Sequence, residues 1–128
     1  MKALSLTQPW ATLVATDQKR IETRSWRTNY RGPLYIHAAK RFPPHAREFA
    51  LKVYGNPAVL PYITRGAIIA RAYLLEVCPV EDLLALSVQE AKYGDYSPGR
   101  FAYLLSNIEQ LEPIPWKGAL GLFEVVLP

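Results

Sequence analysis

The chain has 128 residues, half of them apolar, one fifth charged and 12% aromatic. That is one domain's worth of sequence, too apolar for intrinsic disorder, and no stretch approaches the roughly 20 apolar residues of a membrane helix. A single cysteine, Cys78, excludes an intrachain disulfide and a cysteine-based zinc site, and Cys78 itself reads as a buried small hydrophobe. The first residues lack the apolar core of a signal peptide, so a cytoplasmic location is expected. The net charge is only +4, yet residues 19–47 hold eight basic residues against Glu22 alone, whereas eight of the eleven acids fall from Glu76 onward. Such asymmetry suits a phosphate-bearing partner.

In chain order, Lys2 to Leu6 reads as a strand. Thr7 is placed to cap a helix with Pro9 in its first turn and Trp10, Leu13 and Val14 on one face. Residues 21–26 alternate as a strand with Arg20, Glu22, Arg24 and Trp26 on one side and Ile21, Thr23 and Ser25 on the other. Arg31-Gly32-Pro33 turns the chain into a strand at Leu34–Ala39. Pro43 and Pro44 open a helix through Val53, which Gly55-Asn56-Pro57 ends. Ala67 to Val77 is the longest β-like run. A short helix at Val80–Leu86, a helical turn at Ser87–Lys92, a type II turn at Pro98-Gly99, and strands at Phe101–Leu105 and Leu120–Leu127 complete the pattern. Five or six short strands with peripheral helices predict one α+β domain over residues 1–128, a small, partly closed β-barrel.

Chemistry-bearing residues concentrate between Gln8 and His37. Guanidinium groups at Arg24, Arg27 and Arg31 fork onto phosphates, and the indoles of Trp10 and Trp26 offer faces for stacking a base. A solvated strand face of Glu–Arg pairs is the plainer alternative. Lys19, at the helix-to-strand junction, is out of phase with Glu22 and reaches its side only if the chain bends there; a desolvated lysine acts as base or nucleophile, whereas an exposed lysine at a turn is the commoner case. His37 at a strand end is a candidate for contacting a base edge or donating a proton, with a histidine that simply hydrogen-bonds a backbone carbonyl as the commoner case. Ser97 and Arg100, at the Pro-Gly turn, are candidates for holding an anion through turn amides. His37 and His45, eight apart with only Glu48 nearby, do not make a metal constellation. P-loop, zinc-hydrolase and serine-hydrolase signatures are absent, so neither a metal nor another cofactor is expected.

Ser5-Leu6-Thr7-Gln8-Pro9-Trp10-Ala11, Lys19-Arg20-Ile21-Glu22-Thr23-Arg24-Ser25-Trp26, Tyr30-Arg31-Gly32-Pro33-Leu34 and Ile36-His37-Ala38 together resemble the ASCH domain. So do Gly94-Asp95-Tyr96-Ser97-Pro98-Gly99-Arg100, Lys117-Gly118 and Gly121-Leu122. The ASCH family is part of the PUA-like superfamily, with EVE and YTH domains as neighbours. Its signature resembles Gly-x-Lys-x-x-Glu-x-Arg, which falls on Asp17, Lys19, Glu22 and Arg24, with aspartate in place of glycine. The resemblance implies a cleft beside the first helix, lined by Lys19, Glu22 and Arg24 and flanked by Trp10, Trp26 and Arg31. Superfamily clefts of this kind are associated with RNA or modified nucleobases.

One ASCH branch resembles an N4-acetylcytidine amidohydrolase that uses a lysine, a threonine and a glutamate. Lys19 matches the lysine, but Glu22 stands where the threonine would be. Other members are described as ribonucleases on single-stranded RNA. Three functions therefore stay open: a module binding single-stranded RNA, a nucleotide or a modified base; a metal-independent hydrolase with Lys19 and Glu22 as its acid–base pair; and a protein-binding adaptor.

Overall fold

A computed structural model describes all residues 1–128. Six strands, β1 (Lys2–Leu6), β2 (Ile21–Arg24), β3 (Gly32–Ala38), β4 (Ala67–Pro79), β5 (Phe101–Pro115) and β6 (Leu122–Glu124), form one sheet in the order β2-β5-β4-β3-β1-β6. Only β1 and β3 run parallel; their connection crosses over through α1 (Trp10–Ala15) and β2. The β4–β5 pairing shifts register three times, near Ile68, Arg71 and Leu74. Bulges increase local twist, and the sheet curls into a half-barrel, the expected α+β architecture. Helices α2 (Pro44–Tyr54) and α3 (Val88–Lys92) lie outside it.

The main core forms where α1 packs on the concave sheet: Ala11 and Val14 meet Leu4, Leu34, Ile36, Leu74 and Tyr103. Ala3, Ile68 and Val125 make a smaller core with Tyr35, Trp116 and Phe123. Alternation along β3 thus sends Leu34 and Ile36 to one core and Tyr35 to the other. The third core, Phe42, Ala46 and Ala50, anchors α2 and receives Trp10.

Several elements differ from the sequence expectation. Thr7 is not a cap: the helix starts at Trp10, after a cis Gln8–Pro9 bond, and Gln8 supplies the polar contacts. Gln8 is fully buried; its Oε1 accepts from Thr12 N at 3.0 Å, and its Nε2 donates to Thr12 Oγ1 at 2.8 Å and Thr64 O at 2.7 Å. Strand β2 stops at Arg24 because its partner β5 begins at Phe101, opposite Arg24, leaving Ser25 and Trp26 nothing to pair with. Strand β5 runs ten residues beyond the expected Leu105, past Pro113 to Pro115. The expected helix at Val80–Leu86 is a single 3-10 turn, Val80–Asp82, with Leu84 fully exposed beyond it. The closing strand shrinks to the three residues that pair with β1. Cys78 is half-buried rather than buried.

Candidate nucleic-acid cleft

The bend that the Lys19–Glu22 relationship requires is built at Asp17. Its φ of 61° lies in the left-handed region, the conformation that glycine adopts most cheaply and that aspartate tolerates. Its carboxylate receives both Arg20 Nε and Nη2 at 2.8 Å, and this pairing holds the Asp17 pKa below its ordinary value. Arg20 is thereby turned away from Glu22, contrary to the alternation expected from the sequence. The backbone N–H groups of Gln18 and Lys19 both donate to Leu13 O, closing the tight exit from α1.

The bend drives Lys19 inward until nothing of it is exposed. Its Nζ donates to Ile21 O and lies 3.7 Å from Glu22 Oε1. Burial lowers the pKa of the ammonium, while Glu22 and then Glu90 oppose that shift. Glu22 is mostly buried, and its Oε2 is 3.5 Å from Arg24 Nη1, so a Lys19–Glu22–Arg24 row runs from the interior to the surface.

Above this row opens a cleft of about 460 Å³ between α1, α2, β2 and the loop after α3. Trp10, Glu22, Arg24 and Arg100 line it. Sequence reasoning missed the opposite wall. Phe49 stacks on Trp10 with centroids 5.0 Å apart and planes at 6°, and Tyr93 meets Phe49 edge-on at 5.9 Å. His45 lies 6.2 Å from Trp10, tilted by 36°. The available signal was the i, i+4 spacing of His45 and Phe49, which puts both on one face of α2. Thr23, Lys92 and Asp95 complete the rim. Arg100 fixes the loop rather than standing free: its Nη2 donates to Thr23 O at 3.0 Å and its Nε to Asp95 O at 3.1 Å.

The other expected site residues lie elsewhere. Trp26 is outside the cleft, its ring edge-on to Tyr103 at 5.5 Å with the Arg24 guanidinium 5.6 Å from its centroid. Arg27 rides over Phe101 at 5.3 Å, also outside. Arg31 is committed to structure: its Nη2 donates to Glu76 at 2.7 Å and its Nη1 to Thr28 O and Tyr30 O. Arg31 correspondingly lowers the pKa of Glu76. Ser97 is exposed and its hydroxyl and N–H both turn to Asp95 instead of toward an anion.

His37 is buried, with Nε2 2.7 Å from Trp116 O and Nδ1 2.9 Å from Ser5 Oγ. A carbonyl only accepts, so Nε2 carries a proton, and Nδ1 is hydrogen-bonded to the Ser5 hydroxyl. Both ring nitrogens are occupied, and the residue pins the 116–120 loop. No group of three or more His, Cys, Asp or Glu side chains is placed to hold a metal, and no helix is long and apolar enough to cross a membrane.

The ASCH domain family model matches residues 4–126, nearly the whole chain. The chain belongs to the ASCH domain family. Crystal structures of ASCH from Zymomonas mobilis and of a mutant of it each superpose with a TM-score of 0.59 at 15% identity, covering 98% of this chain and 87% and 89% of theirs. That likeness establishes the ASCH fold. Activating signal cointegrator 1 of Homo sapiens and of Mus musculus are each 50% identical to this chain over 40 residues. That segment is 31% of this ASCH domain and only 7% of the cointegrators' length.

Proposed function

We propose that this ASCH domain is a nucleic-acid-binding module whose cleft takes a base of single-stranded RNA, or a nucleotide or modified base. The observation that carries the reading is the pairing of an aromatic wall, Trp10 on Phe49, with the fixed polar row Glu22–Arg24 across the same cleft. A base stacks on the wall and presents its edge to one carboxylate acceptor and one guanidinium donor, the combination by which unpaired bases are read. Lys19 is inaccessible, so it holds Glu22 in place and does not touch the ligand. Membership of the ASCH family, whose resemblance implies RNA or modified nucleobases, supports the same direction.

The test is fluorescence anisotropy with a single-stranded RNA decamer and a DNA duplex over a salt series. Single-stranded RNA binds more tightly. Trp10→Ala loses a stacking contact of about 1–3 kcal/mol, roughly 5- to 150-fold in Kd. Arg24→Ala lowers the salt slope by about 0.7 if it meets one phosphate, and weakens binding without changing the slope if it meets a base edge. Parental binding by both variants at every salt concentration overturns the proposal.

A hydrolytic reading has one specific support, the Lys19–Glu22 contact at the cleft floor. It makes Glu22 the general base and Lys19 its positioning residue. Turnover of short RNAs or acylated nucleosides, followed by mass spectrometry, tests it: Glu22→Gln removes about 10²–10⁴-fold of any rate. Absence of product leaves binding as the function.

A further inference from the structure

The base cleft is electrically mixed, with Glu22 and Asp95 among its arginines and lysine. Beside it, sharing Thr7 and His45 as a common boundary, lies a larger groove of about 1040 Å³ whose lining contains no acid at all. Lys40, Arg41, Arg65 and Lys117 face it, and none of the four has a carboxylate within 4 Å. By contrast Arg20, Arg24, Arg31 and Arg100 are all paired. A concave surface that keeps four cations unneutralised holds a standing positive potential, which a polyanion lowers by replacing their counterions.

The groove is also a built feature. Arg65 is fixed by donating to Lys40 O at 2.8 Å and by lying 5.7 Å from the Phe42 ring centroid. Its far wall is the Trp116–Leu120 loop, held by His37. A Cβ at Gly118 would lie 2.7 Å from His37 Cε1, so glycine lets the backbone press onto that ring and presents Lys117 to the groove. This gives buried His37 a structural role, holding the groove wall in place.

We propose that the acid-free groove carries the phosphate backbone of a nucleic-acid strand whose base occupies the adjoining cleft. The ligand is accordingly a single-stranded polynucleotide, not a free nucleoside or mononucleotide. The inference rests on the cleft reading and extends it: the mixed-charge cleft reads a base, and the all-cationic groove holds the flanking phosphates. Thr7 and His45 are where the strand passes from one to the other.

The experiment measures affinity for single-stranded RNAs of two to ten nucleotides across a salt series. It compares the parent, a Lys40→Ala/Arg41→Ala/Lys117→Ala groove variant and a Trp10→Ala cleft variant. Arg65 is left alone because of its structural bonds. The parent gains about tenfold or more in affinity as length passes roughly four nucleotides. In the groove variant that gain disappears, dinucleotide affinity stays as in the parent, and the salt slope for the decamer falls by about 2, three contacts at about 0.7 each.

A groove variant that keeps the parent's length dependence and slope overturns the inference; if Trp10→Ala still weakens every RNA, the cleft reading survives alone. Loss in the groove variant with an unaffected Trp10→Ala overturns the cleft reading and its coupling to the groove. Equal binding of a polyglutamate of matched charge overturns the strand assignment in favour of an acidic peptide. A circular dichroism melt of each variant confirms that the fold is intact.

Discussion

Replacing Lys19 by methionine removes the most enclosed charge in the protein and leaves Glu22 with Arg24, 3.5 Å away, as its one paired cation. The two charges are 3.7 Å apart, Lys19 has no exposed surface and Glu22 has 12%. At an effective dielectric of about 20, Coulomb attraction at that distance is about 4 kcal/mol, and most of it offsets the cost of dehydrating the two groups. Deleting one partner leaves that cost unmatched, so Lys19→Met destabilises the fold by about 3–5 kcal/mol. Adding Glu22→Gln removes a carboxylate that only the part-exposed Arg24 then balances, and recovers about 2–3 kcal/mol as coupling energy. Urea unfolding followed by tryptophan fluorescence measures this. With a slope near 2 kcal/mol/M, Lys19→Met lowers the midpoint by about 1.5–2.5 M, and the double variant regains about 1 M or more at unchanged slope. Additivity within about 0.5 kcal/mol would refute the reasoning, because it would make Lys19 a packing residue whose charge Glu22 does not need.

Asp17→Gly relieves the left-handed backbone and loses only an exposed ion pair, so its melting temperature stays near the parent's, whereas Asp17→Ala keeps the strained φ without the pair and costs about 1 kcal/mol or more by thermal denaturation. Burial raises the pKa of Tyr30, Tyr54, Tyr96 and Tyr103, the last to about 12, so ultraviolet titration shows late-ionising phenols, and Tyr103→Phe removes one of them. Since the unfolded chain releases those protons nearer pH 10, stability falls as pH rises from about 10 toward 12; a stability that stays flat through that window contradicts the assignment. Gly118→Ala forces a Cβ onto the His37 ring and destabilises the fold by about 1–3 kcal/mol in urea, with a matching loss of affinity for long but not short RNA.

The short-range parts of this account were legible in the chain. Alternation placed β2 and β3, apolar runs placed β1 and most of β4, and the helical turn expected from Ser87 is α3, where the Ser87 side chain accepts from Glu90 N. The motif spacing named Lys19, Glu22 and Arg24 as neighbours, and the conformation that unites them sits at the signature position, Asp17. What was hidden depends on tertiary pairing. Strand β5 continues through Glu109, Glu112 and Pro113 because β4 is long enough to pair with it, a preference no local pattern expresses. Arg31 resembled a phosphate ligand until Glu76, 45 residues away, was found beside it. At His37 the plainer expectation, a bond to a backbone carbonyl, is the contact present, with Trp116 O on one nitrogen and the Ser5 hydroxyl on the other. The acid-free groove unites residues 40–41, 65 and 117, which share no sequence neighbourhood.

The most direct test of the central claim uses the three indole N–H signals of Trp10, Trp26 and Trp116 during titration of ¹⁵N-labelled protein with a short single-stranded RNA. Trp10 faces the cleft, Trp26 is covered by Arg24 and the edge of Tyr103, and Trp116 lines the groove. The account predicts that the Trp10 signal moves first and furthest, accompanied by the backbone amides of Arg24, Gly94 and Asp95, while Trp26 stays nearly fixed. Movement of Trp26 with Trp10 unchanged, or no movement of any signal at saturating RNA, would contradict it.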